Sequence, residues 1–145
     1  LKSFSGTGRY TIRFAKPKDT ADEWLLHLGK VDESATVWLN GKKLGSLIGP
    51  EYEVRFDAKL LKEQNELQID VSNSMTNRII YMDKQGAEWK KFYNVNMPAR
   101  LAENRDKNGL FTAAKWPPIS SGLIGPVVLT MAVPTLQDVE LKDTK

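Results

Sequence analysis

The chain has 145 residues, with 21 Lys and Arg against 18 Asp and Glu, so its formal net charge is +3. Apolar residues make up 41% and charged residues 27%, which is typical of a globular domain and excludes a disordered chain. The sequence has no apolar run near the roughly 20 residues of a membrane helix, so we expect no membrane partner. Cys is absent, which excludes disulfides, thiolate metal sites and cysteine nucleophiles.

The first residues of the sequence contain neither an initiator Met nor the basic and apolar regions of a signal peptide. We therefore expect the chain to be an excised or processed piece of a longer protein. A targeting signal would then lie outside these 145 residues.

The first half of the chain alternates apolar and polar residues with period two, which predicts β-strands. Asn40-Gly41 separates two of these strands and predicts a tight hairpin, because both central positions of a type I′ turn need positive φ. Asp57 is expected to cap a short helical turn over residues 57–64, with Leu60 and Leu61 buried. The predicted strands cover residues 9–14, 24–28, 35–39, 44–48, 52–56 and 67–71.

The strand pattern fades over residues 74–121, where Asn, Lys, Arg and aromatic residues accumulate. This segment is predicted to be one long decorated loop, with a short helix over 98–107 that has Pro98 in its first turn and Gly109 just past its end. Strand alternation resumes over 122–133, and the tail 135–145 is predicted to be a frayed end or an edge strand.

Short strands punctuated by turns, without helices alternating between them, predict an antiparallel β-sandwich. The last strand is far in sequence from the first ones, which favours a jelly roll, where such strands become neighbours. We predict one all-β domain over residues 1–134 with the long loop at 74–121.

Several segments resemble known carbohydrate-active enzymes. Three of them are similar to the sugar-binding jelly-roll domain of family 2 glycoside hydrolases: residues 4–10 (FSGTGRY), 28–45 and 65–73 (NELQIDVSN). Two more resemble the C-terminal domain of the family 106 α-L-rhamnosidases: residues 77–80 (NRII) and 121–127 (SGLIGPV). The order and spacing of these motifs match over residues 4–133.

The resemblance implies a galactose-binding-like β-sandwich that serves as an accessory module of a secreted or periplasmic glycoside hydrolase. In such enzymes the catalytic acid and base lie in a separate barrel domain, which would be a partner of this domain. Two departures from the pattern stand out. Glu63-Gln64-Asn65 replaces the usual Gly-Glu-Asn, and Tyr81-Met82 stands where the relatives have Gly-Asp.

Catalytic and metal-binding patterns are weak. His27 shares a strand face with Leu25 and has no serine-nucleophile signature beside it, so we expect a structural or surface histidine. Asp22-Glu23 and Glu51/Glu53 are the nearest candidates for a glycosidase carboxylate pair, and both are read as solvated charge. No cofactor is expected. A structural calcium, which galactose-binding-like folds often hold, is implied only by the resemblance.

Trp89-Lys90-Lys91-Phe92-Tyr93 combines aromatic and basic residues, as single-stranded nucleic-acid sites do. Acidic residues are interspersed with basic ones along the whole chain, whereas nucleic-acid domains segregate their charge. We therefore expect no nucleic-acid partner.

Sugar binding needs a flat aromatic face together with a few polar groups that bind hydroxyls. The segment 74–121 and its start supply both, and carbohydrate is the expected ligand. The candidate binding residues are Trp89, Tyr93, Asn94, Asn96, Arg100 and Trp116, together with Asn73, Asn77 and Arg78.

Each candidate also has a structural interpretation. Asn73 and Asn77 can satisfy turn backbone, Arg78 can pair with an acid, and Trp116 can cover the end of the sandwich. Trp38 lies opposite the apolar residues of its strand and is expected on the exterior or against a neighbouring domain. A purely structural domain that packs on a catalytic barrel therefore stays open as an alternative.

Overall fold

The computed structural model describes residues 3–133, so the predicted tail at 135–145 lies outside the described residues. The helix α1 spans Thr76–Lys84, and 3-10 turns span Ala58–Leu60, Met97–Arg100 and Ala102–Asn104. The strands are β1 Thr7–Ala15, β2 Glu23–His27, β3 Lys30–Val31, β4 Ser34–Leu39, β5 Lys42–Ile48, β6 Glu53–Asp57, β7 Gln64–Ser72, β8 Leu123–Gly125 and β9 Val128–Met131.

The strands pair into antiparallel sheets, which confirms the predicted fold class. One sheet has the order β1-β7-β4-β5, a second has the order β6-β2-β9, and β3 pairs with β8. β9 and β8 come late in the chain but pair with the early strands β2 and β3, as the jelly-roll prediction required. The two larger sheets share one apolar core, to which Trp24, Leu26, Val37, Phe56 and Ile69 contribute.

The β4–β5 hairpin turns at Asn40-Gly41, whose φ angles are +52° and +83°, as predicted. Asn40 also ties the hairpin to the neighbouring chain. Its Nδ2 donates to the carbonyl of Leu60 at 2.9 Å and to Asn65 Oδ1 at 2.9 Å, and its Oδ1 accepts from the amide of Glu66 at 3.0 Å. The buried side chain of Asn65 therefore has a partner within the fold.

The helical turn predicted after Asp57 is present but shorter, because only Ala58–Leu60 adopt it. Asp57 Oδ1 accepts from the amide of Lys59 at 2.7 Å, so this residue caps the turn as expected. Leu61 is buried in the core, whereas Leu60 packs against it and stays partly exposed.

Residues 74–121 form a folded lobe, which differs from the predicted long loop. We call this segment the lobe. It contains α1 and has a small apolar core of its own, formed by Ile80, Ala99, Phe111 and Ala113. The sequence pattern did not reveal α1 because Met75 provides no side-chain cap and Ile79, Ile80 and Tyr81 favour strands.

The helix predicted over 98–107 does not form as a continuous element. Leu101 has extended backbone angles (φ −82°, ψ 128°) and separates two 3-10 turns. Pro98 does lie in the first of these turns, as expected. The strand predicted over 122–133 is likewise divided, into β8 and β9, at Pro126, which has no N–H to donate to a sheet.

Candidate functional site

The lobe is closed at its base by two of the predicted asparagines. Asn73 Oδ1 accepts from the amide of Gly6 at 2.8 Å, and its Nδ2 donates to the carbonyl of Phe4 at 2.9 Å and lies 3.4 Å from Ser121 Oγ. Asn77 is buried and bonds to both the carbonyl and the amide of Ile119, at 2.8 and 2.9 Å. These side chains join the two ends of the lobe to each other and to the sandwich.

Asp83, at the end of α1, is the polar centre of the lobe. Its side chain is only 3% exposed and accepts from Trp89 Nε1 at 2.7 Å and from the amide of Ala113 at 2.8 Å. Lys90 Nζ lies 2.8 Å from each carboxylate oxygen. Burial raises the pKa of the Asp83 carboxyl, but hydrogen bonds from Lys90, Ala113 and Trp89 outweigh it and leave this pKa below its ordinary value.

Aromatic rings surround Lys90, whose side chain is 10% exposed. Its Nζ lies 5.1 Å from the ring centroid of Trp89, 5.7 Å from that of Tyr93 and 5.3 Å from that of Phe111. The ammonium group also donates to the carbonyl of Phe111 at 2.9 Å. Two predicted sugar-binding aromatics, Trp89 and Tyr93, are thus brought together, but around a cation of the chain itself.

Trp116 and Asn94 contact the same core residue, Phe111. The Trp116 ring meets the Phe111 ring edge-on, with centroids 5.8 Å apart and planes at 71°, and its Nε1 donates to Asn104 Oδ1 at 2.7 Å. Asn94 has a φ of +59°, accepts from the amide of Phe111 at 2.8 Å and donates to the carbonyl of Gly109 at 3.1 Å. The polar groups of Trp116 and Asn94 are therefore used inside the lobe.

The remaining candidates are arranged differently. Asn96 caps the first 3-10 turn of the lobe, where its Oδ1 accepts from the amide of Ala99 at 2.9 Å. Arg78 is exposed, with its guanidinium 5.8 Å from the ring centroid of Tyr81, and Arg100 is exposed as well. Of the predicted sugar-binding residues, five are exposed: Arg78, Tyr93, Asn94, Asn96 and Arg100. The side chains of Asn94 and Asn96 already bond to the backbone of the lobe, so Tyr93, Arg78 and Arg100 are the exposed candidates whose side chains make no hydrogen bond to it.

The surface of the lobe carries apolar side chains that the sequence analysis did not recognise as an exposed group. Phe92 and Val95 are 77% and 78% exposed, and Met97 and Leu101 are also largely exposed. Their periodicity is irregular because they lie on a loop and a 3-10 turn, so no strand or helix pattern could reveal this surface. We call these four residues the apolar rim.

A second feature that the sequence did not reveal is an apolar cavity of about 250 Å³ between the sheets. Ile12 and Phe14 of β1 line one side, and Leu129 of β9 lines the other. β1 and β9 are edge strands of their sheets, so the cavity extends to an edge of the sandwich.

His27 lies on the outer face of the three-stranded sheet, as a structural or surface histidine would. Its Nδ1 is 2.6 Å from Glu53 Oε1 and its Nε2 is 3.1 Å from Thr130 Oγ1. The sheet register explains both contacts. His27 pairs with Glu53 across β2 and β6, and Thr130 of β9 pairs with Leu25, two residues before His27 on the same face of β2. Thr130 Oγ1 also lies 3.4 Å from the carbonyl of Leu25, to which it donates.

Residues 3–133, the part of the chain that the structure describes, contain no group of three or more His, Asp or Glu that could hold a metal ion. Asp32 Oδ2 is a buried oxygen without a hydrogen-bond partner there. One carboxylate oxygen does not provide the roughly six to eight oxygen ligands of calcium. Calcium binding therefore stays a prediction. No helix within residues 3–133 is both long and apolar enough to span a membrane.

Two antiparallel sheets that share one apolar core form a β-sandwich of the galactose-binding-like class. The family model of the glycosyl hydrolase 2 galactose-binding domain-like proteins matches residues 7–115, and the chain belongs to this family. The resemblance inferred from the motifs is thereby confirmed.

Individual relatives are glycoside hydrolases by name. A curated protein of Formosa agariphila, named "Putative beta-glucuronidase", is 30% identical over 92% of this chain and 13% of its own length. The rhamnosidase structure from Novosphingobium sp. PP1Y superposes with a TM-score of 0.66 at 30% identity, over 88% of this chain and 11% of that one. The Bifidobacterium dentium β-glucuronidase structure gives a TM-score of 0.43 at 28% identity, over 49% of this chain and 12% of that one. The chain thus spans about an eighth of these relatives.

Proposed function

We propose that the chain is a non-catalytic accessory module of a glycoside hydrolase, and that its lobe packs on the catalytic domain. The small share of each relative that the chain covers supports this role. The ion pairs of the described residues support it as well. A glycosidase needs two carboxyl groups that face each other about 5 to 10 Å apart across a cleft. Here Glu23 pairs with Arg55, Glu53 with His27 and Asp83 with Lys90.

The apolar rim is the observation that carries the packing proposal. Exposed apolar patches mark surfaces that contact a partner, and the four exposed rim side chains all lie within residues 92–101. Burying a side chain such as Phe92 stabilises a contact by about 1.5–3 kcal/mol, so a domain interface over the rim would gain several times that amount. The polar centre at Asp83 supports such a contact, because it ties Trp89, Lys90 and Ala113 together within the lobe that carries the rim.

The test compares the parent hydrolase with a Phe92→Ser/Val95→Ser variant. We expect the variant module to unfold in a separate, earlier calorimetric transition, because it no longer packs on its neighbour. Ile48→Ser is the matched control, since Ile48 is 83% exposed on β5 and lies outside the lobe. If the module of the rim variant still unfolds in the same transition as the rest of the hydrolase, the packing proposal is contradicted.

A second candidate function, carbohydrate binding by the lobe, is favoured by the exposure of Tyr93 and Arg100. A single exposed aromatic platform gains little area against the lost translational freedom, so dissociation constants on the order of 0.1 to 1 mM are expected. NMR titration of the chain with rhamnose- and galactose-containing oligosaccharides tests this. We expect resonances of the lobe to shift, and Tyr93→Ala to abolish the shift. If millimolar sugar shifts no resonance of the lobe, carbohydrate binding by the lobe is contradicted and only the packing role remains.

The location of the parent hydrolase is part of the proposal. We propose a secreted or periplasmic enzyme, because the named relatives are glycoside hydrolases and many enzymes of this kind act on polysaccharides outside the cell. Fractionation of the source cells, with the module detected by antibody, tests this location. Finding it only in the cytoplasm would contradict the proposal.

A further inference from the structure

Trp38 is a large aromatic residue on the outer face of the four-stranded sheet. Its neighbours Val37 and Leu39 are buried in the core, so the alternation of β4 turns Trp38 outward, where it is partly exposed. Across residues 3–133 its indole N–H has no hydrogen-bond partner, and its ring meets neither another ring nor a cation. The core, the lobe and the packing proposal leave this side chain without a role.

The strand register places polar side chains on both sides of Trp38. Gln68 of β7 is directly opposite it, Thr11 of β1 is opposite Gln68, and Lys43 of β5 is opposite Trp38 on the other side. Neighbouring strands are about 4.8 Å apart, so this row of four residues extends roughly 14 Å across the sheet. We call Thr11, Gln68, Trp38 and Lys43 the Trp38 row; it has the length of a short oligosaccharide.

The charges beside the row are largely neutralised within the sheet. Arg9 forms a bidentate pair with Asp70 at 2.8 Å for each bond, and Arg13 lies 3.0 Å from Glu66. Lys43, by contrast, has no ion-pair partner in the described part of the chain. The row therefore offers one available ammonium group at its β5 end.

The polar groups of the row also have capacity left for a ligand. Gln68 Nε2 donates to Asp70 Oδ1 at 3.2 Å, which orients the amide and leaves its carbonyl oxygen able to accept from a hydroxyl. The hydroxyl of Thr11 can both donate and accept, and the indole N–H of Trp38 can donate. An aromatic face beside such groups is the combination that binds the C–H face and the hydroxyls of a sugar ring.

Other occupants fit this face less well. A peptide strand adds to a sheet at an unpaired edge, whereas β7 and β4 are paired on both sides. Nucleic acid needs several available cations along its phosphates, and the two arginines here are already paired with carboxylates. A glycan with a carboxylate near its end satisfies the aromatic ring, the hydroxyl-binding groups and Lys43 together.

We propose that the Trp38 row binds an acidic oligosaccharide, with one sugar ring against Trp38 and a uronic acid carboxylate at Lys43. The proposal rests on the proposed function in that the chain is a module of a carbohydrate-active enzyme. It places glycan binding on the sheet, apart from the apolar rim, so that both surfaces can be used at once.

The test titrates the 145-residue chain with trigalacturonic acid and with the neutral galactose trisaccharide, by calorimetry and tryptophan fluorescence. We expect a dissociation constant of about 0.1 to 1 mM for the acidic sugar and at least about fivefold weaker binding of the neutral one. Trp38→Ala should weaken acidic binding at least about tenfold, and Lys43→Gln should reduce it to the neutral level.

Lys42→Gln is the matched control for the charge. Lys42 pairs with Leu39, whose side chain is buried in the core, so Lys42 lies on the other face of β5 from Lys43. Its replacement should leave the affinity unchanged. Trp38→Phe, which keeps a smaller ring, should retain part of the affinity. An unchanged thermal unfolding midpoint in Trp38→Ala separates lost binding from lost folding.

Four results would overturn the proposal. The first three are the absence of any heat or fluorescence change at about 10 mM of the acidic sugar, an unchanged affinity in Trp38→Ala, and equal losses in Lys42→Gln and Lys43→Gln. Equal affinities for the two sugars would also overturn it, because Lys43 would then have no role. Phe92→Ser/Val95→Ser should leave glycan binding intact. The packing proposal is therefore tested by the rim variant and the glycan proposal by Trp38→Ala and Lys43→Gln, so the failure of one can be distinguished from the failure of the other.

Discussion

Asp83→Ala is the substitution that tests most directly how the lobe is held together. Removing the carboxylate leaves the ammonium group of Lys90, the indole N–H of Trp89 and the amide of Ala113 without this acceptor. Removal of one partner from a buried ion pair costs about 3–5 kcal/mol. Lys90 keeps the carbonyl of Phe111 as an acceptor, so we expect a value near the lower end, about 3 kcal/mol.

The loss should be confined to the lobe, because the lobe core and the sandwich core are separate clusters of buried residues. Hydrogen exchange measured by mass spectrometry locates the effect. A loss of about 3 kcal/mol corresponds to a factor on the order of 100 in the exchange rate. We therefore expect the amides of α1 and of residues 110–113 to exchange faster by that factor in Asp83→Ala than in the wild type. Amides of β4 and β7, in the sandwich, should keep their wild-type rates.

The same substitution has a defined pH dependence. The pKa of Asp83 is lowered in the folded chain, because hydrogen bonds from Lys90, Ala113 and Trp89 outweigh the burial that raises it. Its stabilisation is therefore fully present above the unfolded value of about 3.9 and is lost as the pH falls through the folded value. The difference in lobe stability between wild type and Asp83→Ala should thus be constant near neutral pH and shrink below about pH 4.

Glu66→Gln is the matched control, because its partner Arg13 and Glu66 itself are both well exposed, and such a pair is worth about 0 to 1 kcal/mol. If Asp83→Ala destabilises the lobe by no more than Glu66→Gln does, the buried pair does not stabilise the lobe. Equal acceleration of exchange in the lobe and the sandwich would refute the separation of the two cores.

Val37→Ala should lower the free energy of unfolding by about 1–3 kcal/mol in urea denaturation, because its fully buried side chain lies in the central strand β4; an unchanged midpoint would contradict the assigned core. Gly41→Ala should cost about 1–2 kcal/mol because of its φ of +83°, whereas Gly45→Ala, with ordinary φ and only Val54 within contact, should cost less. Equal effects of the two would count against the type of turn assigned. The isolated chain should not hydrolyse aryl rhamnosides or galactosides; turnover that disappears when one of its carboxylates is replaced would contradict the accessory role.

The strands and their tight turns could be predicted from sequence because their determinants are local. The alternation around Val37 shows which side of β4 faces the core, and Asn40-Gly41 supplies the two positive φ angles of the hairpin. Asp57 caps its turn by accepting from the amide of Lys59, only two residues away. In each case the interacting groups are close in sequence, so a pattern of a few residues determines the structure.

The lobe could not be predicted in the same way. Asp83 contacts Trp89, Lys90 and Ala113, which are 6, 7 and 30 residues away, and no helix or strand period joins them. Composition correctly indicated that aromatic and amide side chains gather in residues 74–121. It could not show that Trp89 faces inward to a carboxylate while Phe92 faces solvent, because that depends on which side of the lobe its core occupies.

The sequence by itself determined that this is a β-sandwich of the galactose-binding-like class, since alternation, turns and family motifs are all properties of neighbouring residues. Only the tertiary structure decided which surfaces remain available to a partner or ligand. Trp38 and Lys43 become neighbours through the β4–β5 register, and Gln68 and Thr11 join them from strands 30 and 27 residues away from Trp38. A side chain's contacts across a sheet depend on strand pairing over such separations, and pairing is decided by the packing of the whole core.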